Sequence, residues 1–144
     1  MLRLHPLPLA AHVLLAAGST LPVLFEHVSI VDSCGNSAIS VRDSSLMLSD
    51  VQLLHNVAPA GPAIHGQDSH ITCTDVIAKG NVASSDSGGA MWASGCDIHL
   101  FHTVMSGNSA RVFGGAVMLE FSALLTDGVE FRDNWVRSMR HLVA

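Results

Sequence analysis

The side chains best equipped for chemistry are Asp43 and Asp68, with His65 and Arg42 close to them in the chain. Two carboxylates about 5–10 Å apart can divide the work of glycosidic hydrolysis, one donating a proton while the other activates water or attacks the sugar. The same pair can share a Ca²⁺ ion, which prefers oxygen ligands. Each aspartate also stands directly before a serine, and Asp-Ser is ordinary turn chemistry because the short side chain bonds its own backbone. Asp43, Asp68 and His65 are therefore weak catalytic candidates. His70 and Asp97 make a second pairing, worth about 0–1 kcal/mol as an exposed ion pair. Trp92 is the strongest candidate contact residue, because an exposed aromatic on a rigid surface suits sugar or protein binding.

These residues come together only if the chain repeats, and it does. Gly80-Asn81-x-Ala83 leads to Gly88-Gly89-Ala90-Met91; Gly107-Asn108-x-Ala110 leads to Gly114-Gly115-Ala116-Val117; Phe131-x-x-Asn134 begins a third copy. Asn81 and Asn108 are 27 residues apart, and Asn108 and Asn134 are 26 apart. A period in this range marks a repeat architecture.

Within each repeat the apolar residues alternate with period 2 in three short bursts, a strand signal. One burst follows the alanine: Ile39/Val41, Ile64/Gly66, Met91/Ala93, Val117/Leu119. The second gives Leu46/Leu48, Ile71/Cys73, Ile98/Leu100, Leu124/Thr126. The third precedes the asparagine: Val51/Leu53, Val76/Ala78, Thr103/Met105, Val129/Phe131. An amphipathic helix does not fit, since no i, i+3, i+4, i+7 stripe persists. The predicted fold is all-β: a right-handed parallel β-helix, a solenoid of roughly four to five rungs of about 26 residues with three short strands per rung. Stacked about 4.8 Å apart, the rungs pair every backbone group and pile like residues into columns.

The corners fit this arrangement. Asn56, Asn81, Asn108 and Asn134 are predicted to stack as an amide ladder, helped by the tolerance of asparagine for left-handed backbone. Gly88-Gly89 and Gly114-Gly115 supply a sharp turn into the next strand. Differences in repeat length fall between the asparagine and the alanine.

Stacking also orders the outward residues. The columns read Ser40/His65/Trp92/Met118, then Arg42/Gln67/Ser94/Glu120, then Asp43/Asp68/Gly95/Phe121, then Ser45/His70/Asp97/Ala123. No third carboxylate extends the Asp43/Asp68 column. No two of the nine histidines share a column in this reading, so no metal centre and no cofactor are expected.

Composition narrows the classes. Apolar residues make up 49% and charged residues 13%, with a net charge of −5 and a mean hydropathy of +0.41. The few Lys and Arg form no basic stripe, which argues against a nucleic-acid partner. Cys34, Cys73 and Cys96 fall at three different places in the repeat, too far apart for a disulfide, and read as free thiols. Residues 1–20 fit either a secretory signal or an imperfect first rung, and the run is too short and interrupted to span a membrane. Residues 21–136 carry the β-helix, and 137–144 read as a tail or a truncated end of a longer solenoid.

With these residues in view, the pattern resembles the repeats of chlamydial polymorphic outer membrane proteins, whose signatures are G-G-A-[ILV] and F-x-x-N. Gly114-Gly115-Ala116-Val117 matches the first and Gly88-Gly89-Ala90-Met91 nearly does; Gly61-Pro62-Ala63-Ile64 and Asn36-Ser37-Ala38-Ile39 are degenerate versions. Phe131-x-x-Asn134 matches the second, while Leu53-x-x-Asn56, Ala78-x-x-Asn81 and Met105-x-x-Asn108 keep the asparagine. The resemblance covers about Val28 to Asn134. It implies a pectin-lyase-like right-handed β-helix and a surface-exposed, extracellular region concerned with adhesion. The functional expectation is a non-catalytic surface or scaffold module, a fragment of a longer repeat protein, binding carbohydrate or a cell-surface protein through the Trp92 face. The alternative is a polysaccharide lyase or glycoside hydrolase, or an inactive relative.

Overall fold

Parallel pairing accounts for every strand in the computed structural model, which describes Leu2–Leu4, Val13–Leu14, Gly18 and residues 21–137. The signal or first-rung reading of residues 1–20 and the tail beyond residue 137 lie largely outside these residues. The described strands there, Leu2–Leu4 and Val13–Leu14, pair in parallel with Val28–Ile30 and Ile39–Ser40. Among the described residues there is no helix.

The chain winds through four parallel sheets. The first side stacks Ile39–Arg42, Ile64–Gln67, Met91–Ser94 and Val117–Glu120. The second stacks Val23–Glu26, Ser45–Ser49, His70–Thr74, Asp97–Phe101 and Ala123–Asp127. The third stacks Val28–Val31, Gln52–Leu54, Ile77–Lys79, Val104–Ser106 and Glu130–Arg132. These are the three expected strands of each rung. Two-residue strands after each asparagine, Val57–Ala58, Val82–Ala83, Ser109–Ala110 and Trp135–Val136, add a narrow fourth side.

The register is the one the alternation requires. Ile39, Ile64, Met91 and Val117 are successive partners on the first side, and Leu46, Ile71, Ile98 and Leu124 on the second. Ile39, Leu46, Ile71 and Ile98 are fully buried, so the columns merge into one continuous core. A slip by one residue would turn each of these side chains outward, which pins the register. The last described rung leaves its part of the columns open: Leu124 and Phe131 remain 40% and 49% exposed.

Each side ends in a residue with left-handed backbone, and the residues doing this differ from expectation. At the third corner the positive φ belongs to His55, Gly80, Gly107 and Asp133, one position before each asparagine. The asparagines are there for hydrogen bonding alone. Asn56, Asn81 and Asn108 are wholly buried, and each side-chain NH₂ donates both to the next asparagine's Oδ1 and to a carbonyl of the preceding rung. Ser33 starts the ladder, donating its N–H to Asn56 Oδ1 at 3.0 Å.

The paired glycines also divide their labour. Gly88 and Gly114 take the left-handed turn at φ 71° and 59°. Gly89 does not; it is glycine because a Cβ there would lie 1.9 Å from the Gly115 carbonyl oxygen of the next rung. One member of the pair bends the chain and the other lets two rungs touch.

Candidate functional site

With the core closed by apolar columns, the ordered chemistry lies on the outer faces and corners. Asp43 and Asp68 stack on consecutive rungs at the corner between the first and second sides, both exposed. Their φ angles are 47° and 46°, and their N–H groups donate to Gln67 O at 3.1 Å and Ser94 O at 2.9 Å. Aspartate tolerates this conformation where most residues do not, so the corner itself accounts for both residues. Asp68 leans along the solenoid axis, its Oδ1 only 2.3 Å from where a Cβ on Gly95 would stand.

His65 sits three residues before Asp68 on the strand, about 10 Å away along an extended chain. Its ring is engaged elsewhere, donating to the Ala60 carbonyl and stacking on Trp92 with centroids 4.6 Å apart and planes 28° from parallel. Burial lowers its pKa below the usual imidazole value, the Ala60 bond opposes this, and the Arg42 guanidinium lowers it further. Arg42 itself donates to the Gln67 side-chain oxygen on the next rung. The columns are therefore the expected ones, and the His65 ring is turned to Ala60 and Trp92.

Trp92 is half-buried. It stacks with His65 of the preceding rung and stands in register with Met118 of the following one, so only part of the indole is open to a partner.

The richest cluster lies on the second side. His70 Nδ1 is 3.3 Å from Asp97 Oδ2 across the rungs, the pairing expected from the sequence. The structure adds two members. His99 Nε2 lies 3.5 Å from Asp97 Oδ1, and the Thr72 hydroxyl lies 3.3 Å from His70 Nε2. The rings of His70 and His99 meet edge to face at 4.9 Å, and His99 meets Phe101 in the same way at 6.2 Å. The outward alternation Asp97-x-His99-x-Phe101 was the available signal for this row.

At the second corner His27 and His102 do share a column, with Asp50 and Asp75 between them, so the expectation that no two histidines do so is corrected. The nitrogens lie 2.7 Å (His27–Asp50) and 3.7 Å (His102–Asp75) from the carboxylates. The spacing does carry this column, since His27, Asp50, Asp75 and His102 each stand immediately before the third apolar burst of their rung. Among the described residues, no three His, Cys, Asp or Glu groups are placed to hold a metal ion.

All three cysteines are free. Cys73 stands in the core column between Leu48 and Leu100, and burial pushes its thiol up to about 12. Cys96 replaces a serine in the corner column Ser44/Ser69/Cys96/Ser122 and accepts that role, its Sγ donating to Ser94 O at 3.4 Å. Cys34 is exposed.

The fold and these faces define a parallel β-solenoid. Comparison with protein families, curated proteins and solved structures finds no match for the chain. No described helix is long and apolar enough to cross a membrane.

Proposed function

We propose that this chain is a non-catalytic β-solenoid module of a surface or scaffold protein, binding carbohydrate or protein through the outer face of its first side around Trp92. The observation that supports this is the combination of a core filled by side chains with a flat outer face bearing the stacked His65–Trp92 pair and the Arg42–Gln67 bond. A rigid sheet positions such groups without ordering cost on binding. The repeat signatures Gly114-Gly115-Ala116-Val117 and Phe131-x-x-Asn134 favour an extracellular or cell-surface setting within a longer repeat protein. The competing reading, a polysaccharide-cleaving enzyme or an inactive relative, rests on Asp43 and Asp68 standing one rung apart.

The test uses a Trp135→Phe background, so that Trp92 is the only fluorophore of its kind. Titration with a panel of soluble polysaccharides should move Trp92 emission for at least one of them. Trp92→Ala should weaken retention on that polysaccharide by about tenfold or more, as expected for an aromatic anchor. Undiminished retention in Trp92→Ala would contradict the proposal. Release of reducing ends or unsaturated uronides by the parent, lost in Asp43→Ala and Asp68→Ala, would establish the enzyme instead.

A further inference from the structure

We propose that Thr72 is an acyl-acceptor site: a surface hydroxyl that takes an acyl group from an activated donor of the thioester or aryl-ester class, with His70 as its general base and Asp97 as a positioning residue. The carboxylate of Asp97 can only accept hydrogen bonds, so the His70 nitrogen facing it at 3.3 Å, Nδ1, carries the ring proton. That leaves Nε2 with its lone pair, 3.3 Å from the Thr72 Oγ1. The hydroxyl therefore donates to the imidazole. Hydroxyl, imidazole and carboxylate thus stand in the order that defines an activated nucleophile by geometry rather than by sequence position. His99 Nε2 faces the other carboxylate oxygen at 3.5 Å and fixes Asp97 from its far side.

Other hydroxyls of this chain are engaged differently. Ser69, Ser122 and Thr103 donate to the carbonyls of Gln67, Glu120 and Phe101. Thr72 instead faces a proton acceptor that can carry its proton away. His70 is 42% and Asp97 57% exposed, so a donor can reach the group from solvent. The strand His70–Thr74 is paired on both sides, which commits its backbone N–H groups and leaves them unable to stabilise an oxyanion. The site therefore requires a donor whose leaving group departs readily.

The step is a transesterification. Thr72 Oγ1 attacks the acyl carbon as its proton passes to His70 Nε2, and the tetrahedral adduct collapses by breaking the carbonyl carbon–sulfur or carbonyl carbon–aryloxide bond. The departing thiolate or phenolate takes the proton from His70. The products are an ester on Thr72 and a free thiol or phenol, with no change in oxidation state.

The folded full chain is incubated with 4-nitrophenyl acetate and, separately, with an N-acetylcysteamine acetyl thioester, and followed by nitrophenolate or thiol release, intact mass and peptide mapping. The expected result is one acetyl ester mapped to Thr72, retained in Thr72→Ser and absent in Thr72→Val. His70→Gln should slow acylation by about 100-fold, the usual weight of a positioned general base, and flatten the pH–rate profile expected of the parent. Asp97→Asn should slow it by about tenfold or more through the wrong tautomer. Acetylation confined to amines, an unchanged rate in Thr72→Val, or an unchanged rate and pH profile in His70→Gln would each overturn the proposal.

Discussion

Asn81 Nδ2 donates to Asn108 Oδ1 at 2.9 Å, and the same oxygen accepts the Asn81 backbone N–H at 3.0 Å. The pair is one step of a ladder running from Ser33 to Asn134 in which the donors of each buried amide find a partner on another rung. Because both side chains are wholly buried, water cannot substitute for a missing member. Asn81→Ala should remove the acceptor of the Asn56 backbone N–H and of one Asn56 Nδ2 proton, and the side-chain donor to the Leu53 carbonyl and Asn108 Oδ1. At about 1–3 kcal/mol for each buried group left unpaired, the loss should reach about 3–5 kcal/mol, measured by urea unfolding. A loss below about 1 kcal/mol would show that the ladder is not a main support.

Two glycine substitutions should separate close approach from conformational freedom. Gly89→Ala places a methyl against the Gly115 carbonyl oxygen, backbone that cannot move without parting two rungs. It should prevent stable folding or cost about 3 kcal/mol or more. Gly107→Ala meets nothing within 4 Å but sits at φ 61°, so its cost should stay near 1 kcal/mol, the penalty of left-handed backbone for alanine. Equal costs in thermal or urea unfolding would refute this division of roles.

Thiol chemistry should follow depth. Cys34 is exposed, Cys73 lies in the core with its thiol pushed up to about 12, and Cys96 is buried in the corner column with its thiol also pushed up by burial. The native protein should release one equivalent of thionitrobenzoate promptly from Ellman's reagent and the remainder only in denaturant. Prompt reaction of all the thiols would contradict a closed core.

The His65 ring should make the fold sensitive to mild acid. Burial holds its folded pKa below the ordinary 6.5, so the unfolded chain binds a proton over the window between that value and the lowered one. The contribution to stability is complete above about pH 6.5 and is lost as pH falls through the window. His65→Gln, which keeps a donor for the Ala60 carbonyl, should lose less stability than the parent between about pH 7.5 and pH 5. Parallel losses in urea unfolding would place the acid sensitivity elsewhere.

The core was legible in the sequence because alternation and a period near 26 residues admit one arrangement: Ile39, Ile64, Met91 and Val117 stack as read. The asparagine ladder was legible for its hydrogen bonds. Its backbone role was not, since the left-handed residue precedes the asparagine and is variously His, Gly or Asp. The candidate sites divided along the same line. Columns on strands, such as Ser45/His70/Asp97/Ala123, follow from register alone. Contacts that depend on rotamers do not, and so Thr72 and His99 joined His70 and Asp97 only in three dimensions. The His27/Asp50/Asp75/His102 column follows from register as well, each residue standing one position before the third burst of its rung.

Spin-label distances test the stacked register most directly. In a variant with Cys34→Ser, Cys73→Ala and Cys96→Ser, labels on cysteines placed at Gln52 and Glu130 occupy exposed positions of one column on the third side, three rungs apart. At about 4.8 Å per rung the backbones should lie about 14 Å from one another, giving strong dipolar broadening between residues far apart in the chain. A spectrum without broadening, or a separation beyond about 25 Å, would contradict a solenoid of aligned rungs and every column built on it.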